Sequence, residues 1–538
     1  MDLDQLRIRL PSQRGCVQAL CNGMVVTWHY SQLATDTAIA LANLRQWGVV
    51  AGMRIGIYAQ NSYEWLVFDL AILEMKAILV PFTQDFAKTL NEDLLRDHKI
   101  SLLLVSKETS YLFPTRPIHV ALVDEVNKKV QARAFQTDQL NRADVLSLVF
   151  SSGSAGGIKG IIISRKGVEA CVAPIMEALE LSAHDKFLIF LPMSNFQQRL
   201  LCYAALWNDI DLAITDHTRL FLGLQTLAPT ILVAPPVFFQ MVYGQFDRFP
   251  AWKKTLWRLL GQIVGAVPDT VIRQGLARLL FKDLFQQLGK KIRLLVTGMA
   301  PIKPEIAELF HRLQIPLSET YGLVETGSLT FRDAKSRKFG SVGRPVRGVN
   351  ISFREDGEVI VRRQHPLSLG YFQCSAGEEQ QTFVAEHEVA TGDIGAFDLK
   401  GYLYLKGRKN ELLVAATGYK LHPEALEAQV NGCHGVTCSV FFQRPEEHHL
   451  VCVIVLEGPK QTQLQDKVRQ FVDALDSTKK VSPYVEVIFA HEPFTIENEL
   501  LRPNMKLDRK RVIARYGGKT PRAHDPKNRT EPKLPEPL

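Results

Sequence analysis

The sequence predicts an α/β protein, and three observations carry that prediction. Short apolar runs alternate with segments of helical periodicity through roughly the first 300 residues, which is typical of a mainly parallel sheet. From about residue 350 the pattern changes to short alternating strands separated by turn dipeptides. The chain has 538 residues, too many for one ordinary core. We therefore expect a large N-terminal domain of parallel-rich sheets with flanking helices, and a small α+β C-terminal domain.

The elements of the N-terminal part follow in order from their periodicity. Helices and strands alternate there as helix 31–49, strand 53–59, helix 63–77, strand 78–82 and strand 101–106. After residue 160 the buried-strand candidates are FLIFLP, LAIT, TILVAPP and IRLLVTG, separated by helical stretches. Such apolar runs are expected where both faces of a parallel sheet are covered.

The stretch 251–290 is predicted to be largely helical, with lysine and arginine beside leucine, isoleucine and phenylalanine. One interpretation is an ordinary pair of surface helices, and the other is a membrane-facing patch. No run of about 18 apolar residues and no apolar signal segment occurs. We expect a cytoplasmic protein with at most peripheral membrane contact.

The C-terminal part reads as hairpins followed by a compact unit. The dipeptides Asp356–Gly357 and Lys400–Gly401 mark two hairpins. A helix is expected around 422–430, followed by the strands VTCSVFF and LVCVIVLEG. The predicted domains are 1–408 and 409–516, and the tail 517–538, rich in proline and charge, is predicted to be disordered.

The net charge of +8 suits a polyanionic ligand such as a nucleotide, or loose contact with an anionic membrane. A concentrated basic stripe is missing, so we expect no nucleic-acid partner. Eight scattered cysteines without Cys-x-x-Cys indicate reduced thiols. A zinc site is disfavoured because its candidate ligands fall on alternating strands and a turn, at Cys433, His434, Cys438 and His448–His449. The oligomeric state is not predicted.

The stretch FSSGSAGGIKG, Phe150 to Gly160, follows an apolar strand and has the composition of a phosphate-binding loop. Its spacing fits neither the Walker loop, because Lys159 is followed by Gly160 and Ile161, nor Gly-x-Gly-x-x-Gly. Taken alone, a flexible glycine turn explains it about as well.

Four further motifs follow this loop in order along the chain. They are SETYGLVETG at 318–327, ATGDIG at 390–395, KGRKN at 406–410 and ENELLRPNMKLDRK near the end. With them the chain resembles the acyl-adenylate-forming family of acyl-CoA synthetases, luciferases and adenylation domains over roughly residues 20 to 516. Finer features, such as LPMSNFQQRLL at 191–201, resemble the long-chain fatty acyl-CoA synthetase branch.

The resemblance implies a reaction with ATP, Mg²⁺ and coenzyme A. In this family a carboxylate attacks the α-phosphate of ATP to give acyl-AMP, and a thiol then displaces AMP. Charge builds on the transferring and leaving phosphates, so fixed donors and cations are needed there. The resemblance assigns phosphate binding to the backbone and hydroxyls of Ser151, Ser152, Gly153, Ser154 and Gly156, with Lys159 as the cation.

Nucleotide contacts are also implied by the resemblance. Tyr321, between Thr320 and Gly322, is expected against adenine, and Glu325 is expected to bind Mg²⁺. Asp393 and Arg408 are the expected ribose contacts. The segment between adenine and the acyl pocket is assigned to Gly298, Ala300 and Pro301. Each assignment has a structural alternative. Tyr321 and Glu325 could lie in an ordinary turn, Asp393 could cap a turn, and Arg408 could be a surface arginine. Packing alone could explain Gly298, Ala300 and Pro301.

The small domain of the family is mobile and delivers one lysine to the carboxylate and the α-phosphate. Lys506, in Asn-Met-Lys-Leu, has the matching position, although a surface lysine in a basic stretch is the alternative. Asn410 would be the pivot, where the family usually carries a charged residue. Gly418 would line the tunnel for the thiol.

Three positions depart from the family pattern. Ala155 and Val324 stand where hydroxyl residues are usual, and Asn195 replaces the histidine of Leu-Pro-x-x-His. Each lost charge-assisted hydrogen bond costs roughly 1.5–3 kcal/mol. We expect slowed or redirected chemistry rather than none.

The predicted function is therefore an acid–thiol ligase, an AMP-forming acyl-CoA synthetase acting on a medium- or long-chain fatty acid. Transfer to an acyl-carrier protein or another acceptor is the enzymatic alternative. The alternative from another class is a catalytically impaired protein that binds nucleotide or acyl-adenylate.

Overall fold

The computed structural model describes residues 1–518 with gaps at 22, 84–85, 87–89, 114–118, 124–129, 137–139, 141–143, 153–157, 248, 269, 415–419, 445–449, 458–461, 476–477, 479–484 and 503–504. The predictions for Gly153, Ser154, Ala155, Gly156, Gly418 and most of the tail lie outside the described residues. So do those for the side chains of Ser151 and Ser152 and for His448–His449.

The chain forms two compact units. The larger one comprises Met1–Glu411 together with Arg502–Lys506, and the smaller one comprises Leu412–Leu501 and the residues from Leu507 onward. The predicted domain boundary after Arg408 stays a prediction. It differs from this division chiefly in that Arg502–Lys506 group with the larger unit.

The strands of the larger unit are short, as expected for a sheet with covered faces. In chain order they are β1 Cys16–Cys21, β2 Met24–His29, β3 Arg54–Tyr58, β4 Ile78–Pro81, β5 Ile100–Val105, β6 Val120–Leu122, β7 Val145–Ser152, β8 Ile158–Ser164, β9 Lys186–Ile189, β10 Asp211–Ile214, β11 Ile231–Ala234, β12 Leu294–Thr297, β13 Leu317–Leu323, β14 Gly327–Arg332, β15 Arg344–Pro345, β16 Asn350–Phe353, β17 Glu358–Arg362, β18 Ser368–Phe372, β19 Phe383–Ala385, β20 Glu388–Phe397 and β21 Leu403–Arg408.

Helices alternate with these strands up to β13. They are α1 Leu6–Arg9, α2 Tyr30–Gln46, α3 Tyr63–Glu74, α4 Glu92–Asp97, α5 Arg165–Ala178, α6 Phe196–Trp207, α7 Leu220–Thr226, α8 Pro236–Asp247, α9 Ala251–Gly265, α10 Thr270–Leu280, α11 Lys282–Leu288, α12 Pro304–Arg312 and, later, α13 Glu378–Thr382. Short 3₁₀ turns occur at Leu3–Gln5, Leu10–Ser12 and Lys107–Leu112. Within the described residues, no helix is both long and apolar enough to cross a membrane.

Two large sheets have parallel centres; the first has antiparallel strands at both edges, and the second has them at one edge only. In the first, with the order β15-β14-β13-β12-β11-β9-β10-β1-β2, the pairings from β13 to β1 are parallel. In the second, with the order β18-β8-β7-β4-β3-β5-β6, the pairings from β7 to β6 are parallel. All residues of β3 and β12 are buried, which explains why most of them are apolar. The predicted parallel-rich α/β fold is confirmed.

The second sheet positions the glycine-rich loop. β7 and β8 are antiparallel, with Ser151 opposite Lys159, so the loop connects the two strands of a hairpin. β18 pairs with the other side of β8 and places Phe372 opposite Gly160. The sequence analysis expected the strand before the loop but not these two pairings. Lys159 consequently lies on a central strand of the local sheet, beside β18.

A third, antiparallel sheet contains β16-β17-β20-β19, and β21 also pairs with β20, along Asp393–Phe397. The two predicted hairpin turns are present between β16 and β17 and between β20 and β21. Gly357 and Gly401 occupy them with φ of +84° and +76°, values that favour glycine. The β20–β21 hairpin sets Asp393 directly opposite Arg408.

The smaller unit has its own core. Its elements are β22 Leu413–Val414, β23 Lys420–Leu421, α14 Pro423–Asn431, β24 Val436–Gln443, β25 Leu450–Leu456, α15 Thr462–Ala474, β26 Val485–Phe489 and α16 Arg509–Tyr516. β24 and β25 are antiparallel, and β26 is parallel to β25. Leu426 and Val430 of α14 pack with Phe441, Ile454 and Val472. The predicted helix and strands of this region are confirmed.

A buried ion pair connects α3, α6 and β7. Arg199 Nη2 lies 2.7 Å from Asp69 Oδ1, and both side chains are only 1% exposed. Arg199 Nη1 donates to Ser147 Oγ at 2.8 Å, and the Tyr203 hydroxyl contacts the same carboxylate at 2.9 Å. These hydrogen bonds stabilise the ion pair in the interior, where the dielectric constant is low and an unpaired charge would be costly. The pair thereby fixes α6 against the second sheet.

Candidate nucleotide-binding site

A carboxylate, a phenol and a guanidinium meet where β13 approaches the β20–β21 hairpin. The Tyr321 hydroxyl donates to Asp393 Oδ2 at 2.6 Å, and Arg408 Nε lies 2.8 Å from Asp393 Oδ1. The Asp393 backbone N–H donates to Thr391 Oγ1 at 3.1 Å. Desolvation raises the pKa of the Asp393 carboxyl above its usual value, against the opposing effects of Arg408 and Tyr321. These contacts bring together three of the residues predicted to bind nucleotide.

Lys506 belongs to the same unit as this group. Arg502 and Lys506 are grouped with the larger unit, and the Arg502 N–H donates to the Lys506 carbonyl at 2.8 Å. Although the residue is exposed overall, desolvation lowers the pKa of its amine. Repulsion from Arg408 and Arg502 lowers the pKa of Lys506 further, and attraction to Asp393 raises it. A second cation therefore lies within electrostatic range of Asp393.

A chain of contacts connects two more predicted residues, Lys159 and Glu325. Lys159 Nζ lies 3.8 Å from the centroid of the Tyr371 ring and donates to Glu378 Oε1 at 2.7 Å. The Tyr371 hydroxyl donates to Glu325 Oε1 at 2.8 Å. Glu379 Oε1 accepts from the Tyr371 backbone N–H at 3.0 Å, which holds the ring between the lysine and the carboxylate.

The residues around Glu325 fit a magnesium ion that is shared with a substrate. Mg²⁺ prefers oxygen ligands and is often held by one or two carboxylates together with phosphate oxygens. Glu325 is half-buried, and the one hydrogen bond that its carboxylate accepts from the described residues comes from Tyr371, so among these residues it keeps acceptor sites for a cation. Among the described residues there is no group of three or more His, Cys, Asp or Glu that could hold a metal alone. These residues therefore allow a Mg²⁺ ion that is bound by the Glu325 carboxylate together with phosphate oxygens of a substrate.

Two glycines allow the strands of the site to approach each other. A Cβ on Gly298 would lie 2.9 Å from both the Cγ2 and the carbonyl oxygen of Thr320. A Cβ on Gly322 would lie 2.3 Å from the Gly327 carbonyl oxygen. Thr320 itself donates to the Thr330 carbonyl at 3.0 Å. Packing thus accounts for both glycines, whereas the neighbouring Ala300 and Pro301 are exposed.

Two of the departures have structural explanations. Asn195 is the N-cap of α6, where its side chain accepts from the Gln197 N–H at 3.1 Å. Val324 packs against the core of the larger unit. The hydroxyl of a residue usual for the family at this position would not be stabilised by burial there, whereas an apolar side chain is. Asn410 is exposed in the turn after Arg408, and the structure gives no account of its pivot role.

The family model described as "AMP-binding enzyme" matches residues 11–371. The chain belongs to this family. The predicted resemblance and the predicted enzyme class, an AMP-forming ligase, are confirmed at that level. ATP, Mg²⁺ and CoA are the set that adenylate-forming CoA ligases use.

Curated relatives of this AMP-binding enzyme align over most of its length. Long-chain-fatty-acid–CoA ligase FadD15 of Mycobacterium bovis is 27% identical, over 77% of this chain and 74% of that protein. Long chain acyl-CoA synthetase 4 of Arabidopsis thaliana is 22% identical, over 91% of this chain and 85% of that protein.

Solved structures show the same fold. The anthranilate CoA ligase AuaEII in complex with anthranoyl-AMP has a TM-score of 0.73 at 19% identity, over 95% of this chain and 96% of that chain. The o-succinylbenzoate CoA synthetase of Bacillus subtilis, with its acyl-adenylate intermediate, has a TM-score of 0.70 at 16% identity, over 95% and 97% of the two chains.

Sequence reasoning missed Tyr371, Glu378 and Glu379 in this AMP-binding enzyme. All three lie at or after β18, more than 200 residues from Lys159 along the chain, as the separation of 219 between Lys159 and Glu378 shows. The available signal was the pair Glu378–Glu379, two adjacent acids after a glycine, but an exposed helix start explains such a pair equally well. The roles of the predicted site residues stay predictions.

Proposed function

We propose that this enzyme activates a medium- or long-chain fatty acid with ATP and transfers the acyl group to coenzyme A. The observation that carries the proposal is the grouping of Tyr321, Asp393 and Arg408 with Lys506 in one unit. Family membership supports the adenylation chemistry, and the names of the relatives support the choice of a fatty acid and coenzyme A.

In the proposed first step, a carboxylate oxygen of the acid forms a bond to the α-phosphorus of ATP. The bond from that phosphorus to the bridging oxygen breaks, and its electron pair leaves with pyrophosphate. Lys506 would neutralise the two approaching anions, and Lys159 would attract the leaving pyrophosphate once it parts from Glu378. Mg²⁺ held by Glu325 would supply further charge neutralisation on the phosphates.

Asp393 would bind the ribose. Its carboxylate has about four acceptor positions, and the contacts with Tyr321 and Arg408 use two of them. Two positions therefore remain for the ribose hydroxyls. In the second step the thiol gives up its proton to solvent, its sulfur forms a bond to the acyl carbon, and AMP leaves with the electrons of the broken carbon–oxygen bond.

The test is pyrophosphate release from ATP and Mg²⁺ over a panel of fatty acids, with and without coenzyme A. We expect acid-dependent release that falls roughly 10²- to 10³-fold in Lys506→Ala. Lys400→Ala, an exposed lysine of the β20–β21 turn, is the matched control. Release that needs no acid, or that survives in Lys506→Ala, would contradict the proposal. Acyl-AMP that accumulates in the presence of coenzyme A would identify a carrier protein or another acceptor instead.

A further inference from the structure

The hairpin of α9 and α10 carries apolar residues on its outer face as well as its inner face. In α9, Trp257, Gly261 and Val264 face the core. The same helix exposes a second stripe at intervals of three and four residues: Trp252 (68%), Leu256 (43%), Leu259 (53%) and Ile263 (65%). Core packing accounts for the first stripe and leaves the second without a role in the fold.

The neighbouring helix α10 repeats this arrangement. Ala277 is buried, whereas the large side chains at the same spacing are exposed: Ile272 (58%), Leu276 (36%) and Leu279 (71%). α9 and α10 pack against each other. Seven large apolar side chains are thus exposed on two adjacent helices. They form a cluster, whereas exposed apolar residues on most protein surfaces are scattered singly.

The charge of the same segment is strongly positive. Residues 251–291 contain eight lysines and arginines and two aspartates, a net charge of +6, whereas the whole chain carries +8. Of the two acids, Asp283 lies 3.9 Å from Lys253 and is thereby partly neutralised. The segment that contains the exposed apolar stripes therefore carries a local excess of positive charge.

We propose that the exposed face of α9 and α10 docks on an anionic lipid surface. Basic amphipathic helices with tryptophan and leucine bind in the plane of such a surface, with apolar side chains in the acyl boundary and cations at the headgroups. A protein partner would have to match the same positive charge with acids, while an anionic bilayer supplies both the negative charge and the apolar interior. The inference does not depend on which acid the enzyme activates.

The test is co-sedimentation of the full chain with vesicles of zwitterionic lipid and with vesicles containing roughly one-third anionic lipid. We expect binding to the anionic vesicles, weakened when salt is raised from 0.05 to 0.5 M. The double variant Ile263→Glu/Leu279→Glu should lower the partition coefficient about tenfold or more. The matched control Ile39→Glu/Leu399→Glu changes two other exposed apolar residues, outside α9 and α10, and should bind like the unmodified protein.

All four substituted side chains are exposed, so both variants should keep the melting temperature of the parent, which calorimetry checks. The proposal is overturned if the parent protein stays in the supernatant with anionic vesicles, or if both double variants lose binding equally. It is also overturned if light scattering shows a dimer that Ile263→Glu/Leu279→Glu dissociates while vesicles are ignored. In that case a second copy of the chain covers the face.

Discussion

Replacing Glu378 with glutamine is expected to tighten ATP binding by about tenfold. Lys159 Nζ is paired with Glu378 Oε1 at 2.7 Å, and the two side chains are 14% and 20% exposed. A lysine that serves the leaving pyrophosphate must give up or share this partner. Exposed ion pairs contribute about 0.2–1 kcal/mol, and breaking a fully buried pair costs about 3–5 kcal/mol. A pair of intermediate burial should contribute about 1.5 kcal/mol, which is about tenfold in affinity.

The assay is calorimetric titration of the protein with ATP in a Mg²⁺ buffer. Glu379→Gln is the matched control, because its Oε1 accepts from the Tyr371 N–H and contacts no lysine. In a Lys159→Ala background, Glu378→Gln should have little effect, since the partner that it releases is gone. Unchanged or weaker ATP binding by Glu378→Gln, in a protein of unchanged melting temperature, would refute the reasoning and show that Glu378 positions Lys159 instead of competing with phosphate.

Four further outcomes are expected. Asp69→Asn should lower the free energy of unfolding by about 3–5 kcal/mol, measured in denaturant, because it leaves the Arg199 charge buried and unpaired. Burial raises the pKa of Glu319 from 4.5 to about 7, so its protonated form is favoured on folding. The protonated carboxyl contributes its full stabilisation below pH 4.5, and this contribution is lost as the pH rises to 7. The free energy of unfolding of Glu319→Gln should therefore rise by about 3 kcal/mol relative to that of the parent between pH 4.5 and pH 7. Because desolvation lowers the pKa of Lys506, acid-dependent pyrophosphate release should fall with rising pH below 10.5, and Lys506→Arg should remove that limb. Asp393→Asn should weaken ATP binding, measured by the same titration, since the carboxylate charge that holds Arg408, and that we propose to bind the ribose, is lost.

Local patterns were enough to predict much of the fold. β3 and β12 are rich in apolar residues because every position along them is buried. The turns at Gly357 and Gly401 were predictable because a positive φ is a property of one residue and its neighbours. Such features depend on a few consecutive residues, so they can be predicted from the sequence alone.

The contacts that complete the site are not local. The position of Lys159 depends on β8 pairing with β7 and with β18, and no property of FSSGSAGGIKG specifies the second pairing. Tyr371 reaches both Lys159 and Glu325 only because β18 lies beside β8. The register of strands distant in sequence is set by tertiary packing, so these partners could be found only from the structure.

The two carboxylates that pair with cations of the site should respond to the same chemical change in opposite directions. Asp393 keeps acceptor positions beyond its contacts with Tyr321 and Arg408, and the proposal gives those positions to the ribose. Glu378 has no proposed ligand and pairs with Lys159, the cation that the proposal assigns to the leaving pyrophosphate. Conversion to the amide should therefore weaken ATP binding at Asp393 and tighten it at Glu378. If both amides shift the affinity in the same direction, the carboxylates act only through the net charge of the site, and the separate roles assigned to them are wrong.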